Sequence, residues 1–314
     1  MAIGSMLKRL VIKGANLVAS QAEQAGRRGR HVEICLAAAL QEPGALSKIR
    51  HPAAYLEFLR GSIEPMTCSV VDVRNELGEN DAAQRRFETL VGILGSEVPP
   101  ISFDTAQSIA LVADRYRDLP GVVDYGNWVG DMGLLFSISS SFGRKGRILS
   151  AIVRFSRSER CLELGTAYGM SALFILAALK ANGGGAAHLS TLEGLEPQFS
   201  LASGTLKDRY GDMVSCHFGM TQDALPGLAR SLERIDFLFH DAGHSRDEYC
   251  RDFDAVIGIL SPGSVALIDD IRWGDPRFSA EPADTYRGWR EIVGHARVRR
   301  AVEIDKSLGL LLLR

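Results

Sequence analysis

The sequence predicts an α/β protein with a mostly parallel, doubly wound sheet of seven strands. The last strand is antiparallel, and an α-helical N-terminal extension precedes the sheet. Three observations carry this reading. From about residue 159 onward, short apolar runs alternate with helical patterns, the signature of strands joined by crossover helices. The half before it places apolar residues at three- and four-residue spacings and shows no β-rich block. Finally, only DKSLG links the last two apolar runs, too short a link for a crossover, so these runs pair as an antiparallel hairpin.

In chain order, the helical half reads MLKRLVIKGANLVASQAEQA, HVEICLAAAL, PAAYLEFLRG, AAQRRFETLVGILG and DTAQSIALVADRYRD. Turn residues such as Gln41-Glu-Pro-Gly44 and Pro99-Pro100 punctuate it. The strand candidates that follow are CLELG, HLSTLE, MVSCHF, IDFLFHD, SVALIDD, VRRAVEI and GLLLLR. Helical segments begin between them near Ser171, Glu196, Gln222, Arg246 and Tyr286. Ligands of such sheets bind at the carboxyl ends of the strands, at the topological switch point.

Composition excludes several classes. With 36 basic and 38 acidic residues the net charge is -2, which argues against a dedicated nucleic-acid binder. The basic cluster RRGRH at Arg27 to His31 lacks interleaved aromatics and reads as a solvated helix end. The five cysteines (Cys35, Cys68, Cys161, Cys216, Cys250) have no C-x-x-C spacing, as expected of free thiols in a reducing compartment. Lys and Arg interrupt each apolar run of the N-terminus, and no run is long enough to span a bilayer. The expectation is a cytoplasmic protein without membrane or nucleic-acid partners.

The stretch CLELGTAYGM is the most informative local signal. Gly165 and Gly169 bracket a turn between a strand and a helix, where backbone amides can face a ligand at the helix N-terminus. The spacing E-x-G-x-x-x-G, with its acid at Glu163, is not the G-x-G-x-x-G of a nicotinamide or flavin site, and it suits a cofactor with no pyrophosphate. Glu193 ends the next strand, where a carboxylate can accept two hydrogen bonds from ribose hydroxyls. In GMTQDALPGL, Thr221 and Gln222 can bond an adenine edge while Asp223 caps the following helix.

With LELGTAYGMSA, Glu193, GMTQDALP, FLFHDAGHSRDEY and LIDDIRWGD in this order, the sequence resembles the class I S-adenosylmethionine-dependent O-methyltransferases of the catechol and caffeoyl-CoA group. The resemblance covers about residues 139 to 314, which implies a Rossmann-like methyltransferase domain there and a helical cap or interaction region over 1–138. It implies a cofactor contacting Glu163, Gly165, Tyr168, Gly169 and Ser171, with its ribose on Glu193 and its adenine near Thr221 and Gln222. Asp241, and Ser141 in the loop before the first core helix, would touch it as well.

The same resemblance implies a divalent metal, Mg²⁺ or another, on Asp241, Asp269 and Asp270. Oxygen ligands of this kind suit Mg²⁺. Adjacent strand residues point to opposite faces, so Asp269 and Asp270 can share an ion only if the strand breaks between them. His244, three residues after Asp241, matches the position of a catalytic Lys and is a candidate base with a reference pKa of about 6.5.

The implied activity is methyl transfer to a hydroxyl of a small-molecule acceptor such as a natural product, sugar or phenol. Trp273, Tyr286, Trp289 and His295 are candidates for the wall of the acceptor site. The N-terminal helices are expected to cover that site or to form a homodimer interface. Two other readings stay open: a metal-free methyltransferase acting on a carboxylate, amine or sugar hydroxyl, and a non-catalytic cofactor-binding protein.

Overall fold

The computed structural model describes residues 49–76, 81–124, 129–139, 143–183, 186–274 and 284–314. The expectations for the first two N-terminal helices, for Arg27 to His31 and for Ser141 lie outside these residues.

All seven expected strands form one sheet. β4 (Arg160–Leu164) lies at its centre, with β5 (His188–Glu193) and then β6 (Val214–Phe218) on one side, all parallel. On its other side lie β7 (Ile235–His240) and β8 (Leu260–Ile268), also parallel. The order reverses across β4, which makes its carboxyl end the switch point. β10 (Leu308–Leu313) then pairs antiparallel with both β8 and β9 (Val298–Ile304). Asp305 and Lys306 turn the hairpin with φ of 51° and 61°.

The sheet has an eighth strand, drawn from the N-terminal half, where the sequence shows no β-rich block. β1 (Val70–Asn75) extends the sheet by pairing antiparallel with β9, and a small hairpin joins β2 (Val122–Asp124) to β3 (Val129–Asp131). The sheet thus crosses the expected boundary at 138. β1 is legible only with its partner in view. Its partner lies more than 200 residues away, and as an edge strand it leaves Val71 54% exposed and pairs Asp72 with Arg300 at 3.0 Å.

The remaining N-terminal helices form where the spacing predicts them. They are α1 (Pro52–Ile63), α2 (Ala82–Ser96) and α3 (Phe103–Tyr116), with Asp81 and Ser102 accepting the first-turn amides of the latter two. α4 (Met132–Ser139) and α5 (Gly143–Ser156) lead into the sheet domain. Phe58 of α1 stacks on Phe174 with ring centroids 5.9 Å apart, and both belong to one core that runs through the two halves. Arg147 of α5 is 1% exposed and staples the halves together. It donates to the carbonyls of Glu64, Val98 and Pro99, the last at 2.8 Å. Among the described residues no helix is long and apolar enough to cross a membrane, and Cys68, Cys161, Cys216 and Cys250 are free thiols.

Candidate active site

The turn after β4 is built by residues whose backbone only a few side chains tolerate. Gly165 and Gly169 have φ of 89° and 78°, and a Cβ on Gly165 would lie 2.2 Å from the carbonyl oxygen of Asp241. The turn therefore packs directly against the end of β7. Its amides are less available than the sequence suggests. Gly165 and Thr166 donate to Leu192 O, Gly169 donates to Thr166 O, and Ala167 donates to Glu193. α6 (Met170–Asn182) starts immediately after, with Gly169 as its N-cap.

Glu193 is 7% exposed at the end of β5. One oxygen accepts from Ala167 N at 2.6 Å and the other from Leu195 N at 2.8 Å. The carboxylate is thus aimed by the glycine turn, and it keeps lone pairs for further donors. Tyr168 is buried, and its hydroxyl donates to Met132 O at 3.1 Å, tying the turn to α4.

Glu163 lies behind the turn, fully buried, and accepts from Thr191 Oγ1 at 2.5 Å. Ser171 lies beside it without closing a well-formed bond to Oε1. Burial pushes the Glu163 carboxyl up to about 7. Between its ordinary 4.5 and 7 the folded protein holds a proton that the unfolded chain has lost. The stabilisation from this group is complete below 4.5 and is lost as pH rises to about 7. Wild type should therefore lose on the order of 3 kcal/mol more stability than Glu163→Gln between pH 5 and pH 8. Urea unfolding of both proteins at the two pH values checks this, and equal losses would mean that Glu163 is ionised throughout.

Beyond β6, the chain enters α8 (Thr221–Ser231) after α7 (Glu196–Tyr210) has crossed the sheet. Asp223 does not cap α8 as expected. The helix starts two residues earlier at Thr221 with Met220 as its N-cap, so Asp223 sits in the first turn, where its charge meets the positive end of the dipole. Thr221 Oγ1 accepts from Arg251 at 3.0 Å, and Gln222 is exposed. Sequence reasoning missed Phe218 and Met220, which are 53% and 47% exposed at this end of the sheet. The apolar pair at the close of MVSCHFGM was their only signal.

The acidic strand ends converge. Asp241 N donates to Leu164 O and Asp269 N donates to His240 O, both at 2.8 Å, so the ladder carries both acids side by side past β7 and β8. The strand does break between Asp269 and Asp270, because Asp270 has a φ of 49°. Ligand atoms of Asp241, His244 and Asp270 lie within 4.8 Å of one another. Asp269 is not in that group. Its Oδ2 holds the ammonium of Lys145, and its Oδ1 accepts from Asp270 N at 2.7 Å. Among the described residues Asp241, His244 and Asp270 thus bring ligand atoms together, while Asp269 of the expected set turns to Lys145.

His244 is held at its backbone by the capping box of α9 (Arg246–Val256). Ser245 caps the helix, and Glu248 accepts from both Ser245 Oγ and His244 N. Its ring stays clear of Asp247 and Glu248. Nε2 lies 3.4 Å from Asp270, and the exposed Trp273 ring lies 5.0 Å away between centroids. Of the other wall candidates, Trp289 is fully buried on Glu303, and Tyr286 lies beneath Arg272.

The environment pushes the two acids apart. Burial, then the charges of Asp269 and Asp270, raise the Asp241 carboxyl well above its usual range against the pull of Lys145. Burial acts in the same direction on Asp270, but His244, Lys145 and Ser307 outweigh it and hold Asp270 below the usual range. Sequence reasoning missed Lys145, whose partner Asp269 lies 124 residues further along the chain.

A family model described as "Methyltransferase domain" matches residues 162–271. Catechol O-methyltransferase of Sus scrofa is 31% identical over 134 residues, covering 41% of this chain and 68% of the pig protein. The chain belongs to the class I S-adenosylmethionine-dependent O-methyltransferases. Mouse catechol O-methyltransferase is 32% identical over 133 residues, or 40% of this chain. The matched stretch spans 48% of the mouse protein, about half its length. An SAH-bound methyltransferase of Podospora anserina shares the fold, with a TM-score of 0.52 and 16% identity over 77% of this chain and all of that one. In this family member, the matched domain model ends at Ile271, one residue past the acidic strand ends.

Proposed function

We propose that the protein transfers a methyl group from S-adenosylmethionine to a hydroxyl of a small-molecule acceptor at the tips of β4, β7 and β8. One observation carries this reading. The glycine turn packs on the backbone of Asp241, while the Asp241 side chain belongs to a cluster with His244 and Asp270. Cofactor turn and acid–base groups are contiguous.

Glu193 is the residue to hold the ribose, and Phe218, Met220 and Gln222 border the adenine end. The cofactor supplies an electrophilic sulfonium methyl when bound. The donor set of two carboxylates and one imidazole fits a divalent cation, which when bound supplies positive charge to an acceptor oxygen. When no cation claims its ring, His244 removes the acceptor proton, and Asp270, 3.4 Å from Nε2, orients the ring. The exposed face of Trp273 beside His244 suits a flat phenolic or polyketide-like acceptor and also accepts the apolar face of a sugar. Orientation of acceptor and methyl donor supplies much of the acceleration. Metal-free transfer with His244 as sole base has one observation in its favour, the Lys145 ammonium already seated on Asp269 beside the cluster.

The test is methyl transfer from labelled cofactor to a panel of phenols, glycosides and polyketides, with Mn²⁺, with Mg²⁺ and with chelator. His244→Ala should lower kcat by about 10² to 10⁴. Activity that survives both His244→Ala and chelator would remove the base and metal assignments. Failure to bind S-adenosylhomocysteine would remove the methyltransferase reading itself.

A further inference from the structure

Lys145 is the third residue of α5, and its side chain reaches across to the end of β8. There its ammonium meets Asp269, which is fully buried while the lysine side chain is 29% exposed. A buried carboxylate is costly unless a cation and hydrogen bonds satisfy it. Asp269 has both, with Lys145 on Oδ2 and Asp270 N on Oδ1, and its carbonyl accepts from Tyr249 Oη at 2.5 Å. Through Oδ1 the same carboxylate holds the backbone of Asp270, which with Asp241 belongs to the candidate cation cluster, so the lysine charge sits beside that cluster.

We propose that Lys145 is a built-in competitor of the divalent cation, occupying the strand-tip carboxylates by way of Asp269 and weakening metal binding at Asp241, His244 and Asp270. This rests on the metal assignment made above. The physical basis is Coulombic. A divalent ion entering the cluster either repels the ammonium within a partly dry site, where charge interactions are several times stronger than in water, or displaces it from Asp269.

The experiment is titration of the full chain with Mn²⁺, read by electron paramagnetic resonance of the free ion, for wild type, Lys145→Met and Lys145→Arg. S-adenosylhomocysteine binding is measured on each as a check of the fold. Lys145→Met should bind Mn²⁺ at least about tenfold more tightly than wild type, and Lys145→Arg, which keeps the charge, should stay near wild type. Equal or weaker binding by Lys145→Met overturns the inference alone. Absence of Mn²⁺ binding in every protein that still binds S-adenosylhomocysteine overturns the metal assignment and the inference together. A wild-type measurement covers the case in which Lys145→Met does not fold. Saturating Mn²⁺ should increase acylation of Lys145, followed by peptide mass spectrometry, and an unchanged or reduced rate counts against competition.

Discussion

Glu193→Ala should weaken S-adenosylhomocysteine binding by about 100-fold or more. A hydrogen bond to a charged group contributes about 1.5 to 3 kcal/mol, and under the proposed ribose assignment the carboxylate offers two to the diol. The substitution also strips partners from Ala167 N and Leu195 N, so the turn that carries Gly165 and Gly169 loses its anchor on β5. Glu193→Gln separates the two effects. Its amide oxygen can keep one backbone bond, so its loss should be intermediate. Calorimetric titration of the three proteins checks this, and a Glu193→Ala protein that binds like wild type would move the ribose elsewhere.

Arg147→Met should destabilise the protein by about 3 to 5 kcal/mol. Methionine fills much of the same volume but leaves the carbonyls of Glu64, Val98 and Pro99 without their donor in a buried seam. Each stranded group costs about 1 to 3 kcal/mol. Against a total stability of about 5 to 15 kcal/mol, this is a large share. The denaturant midpoint should fall, with little change in slope if the protein still unfolds in one step. A loss below about 1 kcal/mol would mean that water enters the seam and replaces the guanidinium.

The sheet domain was legible because its strands and helices carry their periodicity locally. IDFLFHD and SVALIDD carry apolar residues on both faces, as strands covered by helices on both sides must. The glycines of CLELGTAYGM were legible because both take a left-handed φ, and at Gly165 a 2.2 Å approach leaves no room for a side chain. β1 was not, because Asp72 and Arg74 suit an edge strand whose partner comes at the far end of the chain. The role of Asp223 was misjudged by the three residues that separate it from the N-cap, Met220.

The sequence by itself determined the fold class, the switch point, the glycine turn and the acids at the ends of β5, β7 and β8. These follow from pattern and spacing, which are properties of neighbours in the chain. Only the tertiary structure decided which acid faces which partner. Asp269 and Asp270 are adjacent in sequence, yet a φ of 49° at Asp270 sends one to Lys145 and the other to His244. Lys145 lies 124 residues before Asp269, and no periodicity relates them. Charge pairing across such a distance is set by the packing of α5 on the sheet, so it appears only when the chain is folded.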